Sequence, residues 1–219
     1  MNHHKPLLTP GLLRNPGATL SAPSLALALI IAVVYGARAG GGATRGFRPV
    51  PFWDMWDGTL GFYMRQATEP DAWWSQHNEH RIVLARALFF LDLRYFGGTG
   101  AFLIVINYVL SLAVFGILAF CAMRMPDTAP DGRRFTAFLM MTFSLLWTQS
   151  NNLTWGFQSQ FWLAQLLPLA ALVLVHLSCR TGRGGTLLFA AALTTGAHAA
   201  GSMANGALGG VMVVAACVL

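Results

Sequence analysis

The side chains able to do chemistry are concentrated in one stretch, Trp53 to Phe96. It holds six of the eight acids of the chain, Asp54, Asp57, Glu69, Asp71, Glu79 and Asp92, together with Arg65, Arg81, Arg86 and Arg94. Asp54 and Asp57 lie three apart in Phe52-Trp-Asp-Met-Trp-Asp-Gly58, so on a helix they share a face. Carboxylates so placed can present a general base or hold a divalent cation between them. The structural alternative is that they are first-turn acids favoured by the helix dipole.

A second polar run, His77-Asn-Glu-His-Arg81, leads into Ile82 to Leu91, an apolar segment broken by one charge, Arg86. A guanidinium in such a setting needs an anion, and its planar fork suits a phosphate, so Arg81 and Arg86 are candidate phosphate ligands. Internal pairing with Asp92, Glu79 or Asp54 is the alternative. His77, Glu79 and His80 are ligand types for a metal, but their spacing matches neither the His-Glu-x-x-His signature nor its inverse, and no metal site is assigned. Gln149 to Gln160 carries no charge yet is dense in amides and aromatics. Asn151, Asn152, Gln158 and Gln160, with Trp155 and Phe157 between them, form a rim that could bind sugar: amides bond hydroxyls and flat rings cover apolar sugar faces. Interfacial anchoring is the alternative for the aromatics.

These residues need a platform, and the composition says what kind. With 55% hydrophobic and 10% charged residues and a mean hydropathy of +0.55, the chain is too apolar for an ordinary soluble domain and reads as a membrane protein. The net charge of +6 does not make it a nucleic-acid binder: Lys5 is the single lysine, and the arginines are scattered among apolar segments instead of forming a stripe. Cys121, Cys179 and Cys217 lie in or beside apolar runs, with no disulfide or zinc spacing.

The fold class expected is all-α: a polytopic transmembrane bundle with a large outer loop of amphipathic interface helices. Residues 1–19 form an N-terminal tail and 20–36 a first transmembrane helix, read as uncleaved because many spans follow. Residues 37–100 form the long loop, opened by a Gly/Arg linker over 36–48. Within it Trp53, Trp56, Leu60 and Met64, at steps of three and four, predict a short amphipathic helix over 53–66 lying on the membrane interface. Residues 101–219 supply five further membrane segments, near 101–123, 135–148, 161–179, 186–200 and from 207 onward. Gly196, Gly201, Gly206, Gly209 and Gly210 predict close packing and a broken helix pair. The last segment stops inside an apolar run, which reads as the front part of a longer protein.

Short-loop charge orients the bundle. Lys5 and Arg14, then Arg124, Arg133 and Arg134, then Arg180 and Arg183 occupy alternate connections, which places them and the N-terminus in the cytoplasm. The long loop then faces outward, its seven arginines notwithstanding, since long loops translocate largely regardless of charge. All seven tryptophans fall in or beside segments assigned to that outer face.

A first transmembrane helix, a large outer loop with an early Asp, interface helices and a series of further spans together are similar to the C-type (GT-C) integral-membrane glycosyltransferases. The runs Trp74-Ser-Gln-His-Asn-Glu-His-Arg81, Leu91-Asp-Leu-Arg-Tyr-Phe-Gly-Gly98, Trp155-Gly-Phe-Gln-Ser-Gln160 and Ser202-Met-Ala-Asn-Gly206 resemble those of a group of bacterial polytopic proteins related to that fold. The resemblance implies transfer of a sugar from a polyprenyl-phosphate donor to an envelope acceptor at the periplasmic face of the inner membrane. Asp57 or Asp54 would be the catalytic acid, with a divalent cation as an optional helper. Glu79, His80, Arg81, Arg86, Trp155 and Gln158 would bind substrate, the arginines taking the lipid phosphate. One departure stands out: the acidic pair usual in many members is here split as Asp54-Met-Trp-Asp57. The competing function is non-catalytic, a flippase, transporter or docking subunit of envelope polysaccharide assembly, partnered by membrane lipid and the lipid-linked sugar.

Overall fold

A computed structural model describes residues 22–218. Expectations for the N-terminal tail, and for the start of the first span, lie outside those residues. Among the described residues the protein is all-helical, its one β-type pairing being the isolated bridge between His77 and His80. The elements are α1 (Ala22–Gly46), a π-helical turn (Trp56–Gly61) running into α2 (Phe62–Arg65), α3 (Val83–Tyr95), α4 (Ala101–Ala122), α5 (Pro130–Phe143), α6 (Ser150–Thr154), α7 (Ser159–Arg180), α8 (Gly185–Ala199) and α9 (Ala204–Val218).

Among the described residues three helices are long and apolar enough to cross a membrane: Ala26–Gly46, Ala101–Ala122 and Gly156–Arg180. The chain is on that ground a membrane protein. Their outward faces support the assignment, because Leu27, Ile30, Val33, Val105 and Val109 are each more than half exposed. Water tolerates no such continuous apolar surface. The other three expected membrane segments are helices too, α5 and α8 of 14 and 15 residues and α9 running from Ala204 to Val218, the last described residue. At ~1.5 Å per residue α5 and α8 reach ~21–23 Å against a hydrocarbon layer of ~30 Å. α8 and α9 pack on α7 as a broken pair, turning at Gly201-Ser-Met203.

The stretch read as a Gly/Arg linker is helical: α1 continues without a break to Gly46. Packing overrides the weak helix propensity of glycine there. A side chain on Gly42 would run into the Trp147 indole within 2.1 Å, and Ala39 beside it is buried and accepts a hydrogen bond at 3.0 Å from the Tyr108 hydroxyl of α4. The glycines thus let the indole close against the helix.

α1 ends, and α4 and α7 begin, at one end of the bundle. Gly156 lies against Leu103 of the first turn of α4, and the Asn107 side-chain amide donates to the Trp155 carbonyl at 2.8 Å. A core of Ile82, Ala85, Phe89, Leu103, Phe157, Ala164 and Met203 binds α3, α4, α7 and the α8–α9 turn together at this end. The cavities at this end rest on that core.

Candidate functional site

The 53–66 segment is largely helical, but its opening and hydrogen-bonding differ from a plain amphipathic helix. Trp53 sits in a left-handed turn with φ 49°, which costs an indole-bearing residue ~1 kcal/mol or more. A π-helical turn then carries Asp57 outward and Gly58 inward. Gly58 is buried because a Cβ there would strike the Phe157 ring at 2.6 Å and the His77 ring at 3.0 Å. Glycine at that position lets two rings from distant segments reach the helix backbone.

His77-Asn-Glu-His80 is a tight turn. The His77 and His80 backbones exchange hydrogen bonds of 2.9 and 3.0 Å, and Asn78 takes the left-handed conformation that asparagine tolerates. The 73–75 turn that precedes it is held by Arg86, whose Nη1 donates to the Trp73 carbonyl at 3.0 Å and to the Ser75 carbonyl, with the guanidinium 5.3 Å from the centre of the Phe62 ring. Arg86 is 1% exposed. Burial, then the neighbouring Arg65, push its pKa down, and Asp57 partly opposes them.

Residues a hundred positions apart meet above this frame. The Trp53 and Trp155 rings lie parallel, 7° between planes and 6.0 Å between centroids, and Phe52 and Phe157 pack on Trp155. Phe157 in turn stacks on Phe89 and meets the His77 ring edge-on at 5.2 Å. One side of the tryptophan pair opens to a cavity of about 550 Å³, whose polar lining comes from Asp54, His77, Asn78, Glu79, His80 and Gln160, with Phe161 and Met203 completing it. On the other side lies a second cavity of about 570 Å³, lined by Arg48, Phe52, Thr99, Asn151 and Thr154 among others. Trp53 and Trp155 border both.

The structure therefore gathers Asp54, Glu79, His80 and Trp155 into one cavity and leaves the other expected residues outside its lining. Asp57 is 76% exposed at its side chain, with one carboxylate oxygen 3.6 Å from Nδ1 of the buried His77 and the other 4.0 Å from Arg65. Arg81 donates to the Trp74 carbonyl and faces a separate groove with Trp74 and His198. Gln158 is buried in the turn before α7. The Arg86 guanidinium is enclosed and its Nη1 is tied to two carbonyls of the 73–75 turn, which makes it a staple of that turn, while its Nε is buried without a hydrogen-bond partner among the described residues. The pairing of Arg86 with Asp92 is not made. Asp92, buried, accepts instead from the Gly100 N–H at 3.2 Å. Among the described residues no three His, Cys, Asp or Glu side chains converge as metal ligands.

Sequence reasoning placed Trp53 on an interface helix and weighed His77 only as a metal ligand. Both belong to the site through contacts that span the chain, and the one local clue was a glycine, Gly58, following two tryptophans and two aspartates. No protein-family model, curated protein or solved structure matches this chain.

Proposed function

We propose that the chain carries the outer-face site of a membrane glycosyltransferase, which moves a sugar from a polyprenyl-phosphate donor to an acceptor hydroxyl. The observation that carries this reading is the parallel Trp53–Trp155 pair beside a cavity furnished with two carboxylates, two amides and two imidazoles. Flat rings cover the apolar face of a pyranose. Asn78 and Gln160 are of the right type to bond its hydroxyls, while Asp54 and Glu79 orient the acceptor and favour the positive charge that develops at the anomeric carbon. Nε1 of Trp155 and Nδ1 of His80 are buried without a partner among the described residues, which leaves two further ring nitrogens for a polar ligand.

In this reading the protein sits in a bacterial inner membrane with its N-terminus in the cytoplasm and the 47–100 segment in the periplasm. Arg81, exposed although one nitrogen donates to the Trp74 carbonyl, is the guanidinium open to a lipid phosphate, since Arg86 is enclosed.

The test uses the protein in nanodiscs with purified polyprenyl-phosphate sugars, reading melting temperature and tryptophan fluorescence. Wild type is expected to bind, and Trp155→Ala to bind about 10–100-fold more weakly, the equivalent of losing one buried aromatic contact. Asp54→Asn should keep binding while transfer falls by ~10²-fold or more. Failure of every lipid-linked sugar to shift wild type would move the assignment to a non-catalytic docking subunit.

A further inference from the structure

We infer that His77 is the proton acceptor of this cavity and that Asp57, which does not line the cavity, acts through it as a positioning residue. The proposed sugar transfer enters only as the source of the proton; the pair itself stands on geometry.

His77 is 8% exposed and its ring lines the 550 Å³ cavity. Its two nitrogens are in different surroundings. Nδ1 looks to the Asp57 carboxylate, 3.6 Å away, whereas Nε2 is buried with no partner among the described residues. A carboxylate has no proton to give, so it selects the tautomer with hydrogen on Nδ1 and leaves the Nε2 lone pair open. An unsatisfied acceptor in such a place is costly unless something bonds it, and a hydroxyl bound in the cavity is the natural donor.

The fold fixes the ring on every side. The His77–His80 turn holds its backbone, the Phe157 edge holds one face, and Gly58 leaves room for its Cε1. The Asp57 carboxylate projects to solvent, at the far side of the ring from the orphaned nitrogen. Asp57 can thus orient the imidazole and offset the charge it acquires without touching the ligand.

The acceptor oxygen forms its bond to the anomeric carbon as the bond from that carbon to the phosphate oxygen breaks. The bonding electrons leave with the phosphate, and the hydroxyl proton passes to Nε2, giving an imidazolium paired with Asp57. Deprotonation by solvent then restores the neutral ring.

The experiment is nitrogen NMR on ¹⁵N-histidine-labelled protein in nanodiscs, above the ordinary imidazole range of pH, on wild type, Asp57→Asn and His77→Gln. The last identifies the His77 signals by their loss. Asp57→Asn alters an exposed side chain and should leave the fold intact. In wild type, the His77 ring is expected to be fixed with hydrogen on Nδ1, and in Asp57→Asn to become a mixture of tautomers. Methyl glycosides that quench tryptophan fluorescence should shift the Nε2 signal. In a transfer assay Asp57→Asn should lower kcat about 10²-fold with KM little changed.

A ring protonated on Nε2, or one indifferent to Asp57→Asn, overturns the pair whatever the protein transfers. Glycoside binding that leaves Nε2 unmoved overturns His77 as the acceptor. A fixed Nδ1–H ring in a protein that binds no glycoside upholds the pair and sinks the sugar reading instead.

Discussion

A guanidinium at 1% exposure is expensive, and Arg86 meets that cost without a carboxylate at bonding distance. Its Nη1 alone donates to two carbonyls on one turn, and the guanidinium lies near an aromatic ring. Each hydrogen bond from a charged donor contributes ~1.5–3 kcal/mol, set against the loss of hydration. Arg86→Leu, which fills the space but leaves the Trp73 and Ser75 carbonyls without their donor, should therefore cost about 1–3 kcal/mol. The loss would be read as a lower melting temperature in nanodiscs. Arg86→Lys should recover only part of it, because a compact, strongly hydrated ammonium on a flexible stem is costlier to bury than the guanidinium that holds Nη1 between both carbonyls. Were Arg86 a phosphate ligand instead, the same substitutions would weaken lipid binding and leave stability unchanged.

At the scale of elements, the corner between α3 and α4 shows how one acid can organise a turn. The Asp92 backbone carbonyl accepts from Phe96 and Gly98, and its side chain accepts from Gly100. Gly97, Gly98 and Gly100 all adopt positive φ, which gives the chain its reversal. Burial raises the Asp92 pKa above the ordinary 3.8, with the Gly100 N–H opposing. The sign follows from linkage: a carboxyl whose folded pKa is raised binds its proton more tightly when folded. Its stabilising contribution is full below 3.8 and is lost as pH rises through the raised folded value. Asp92→Asn keeps an acceptor for Gly100 and removes the titration. The variant should thus lack the wild-type fall in melting temperature across that window and be at least as stable as wild type at neutral pH. A fall that persists unchanged in Asp92→Asn would trace it to another group.

At the scale of the molecule, the parallel course of α4 and α7 separates two ends. The cavity, the tryptophan pair and Asp57 lie where these helices begin, while Cys121 and Cys179, both exposed, lie where they finish. A membrane-impermeant maleimide should therefore distinguish the ends. With Cys217→Ala as background, Cys121 and Cys179 should be labelled from the same side of a sealed vesicle, and the added cysteine of Asp57→Cys from the other. The proposed orientation makes the native pair cytoplasmic, so intact cells should label Asp57→Cys alone. Labelling of Cys121 and Cys179 from opposite sides would contradict the arrangement of α4 and α7 itself.

What the sequence determined by itself is what periodicity and composition encode locally. The helical class, the apolar runs of α4 and α7, the broken pair at Gly201 and the clustering of acids between 53 and 96 are statements about neighbours in the chain, and hydropathy over ~20 residues suffices for them. Local rules failed where packing outweighed propensity. Gly40-Gly-Gly42 reads as a linker until Trp147, a hundred residues on, closes against it. The polar turn His77 to His80 reads as a ligand set until the backbone bridge shows that it directs His77 inward beside Gly58. Arg86 and Arg81, alike on paper, both bond the 73–75 turn but part company because only Arg86 is enclosed while doing so. The tryptophan pair, the cavity beside it and the contact of Asp57 with His77 were decided by tertiary structure alone, since each joins segments whose separation along the chain no local pattern can bridge.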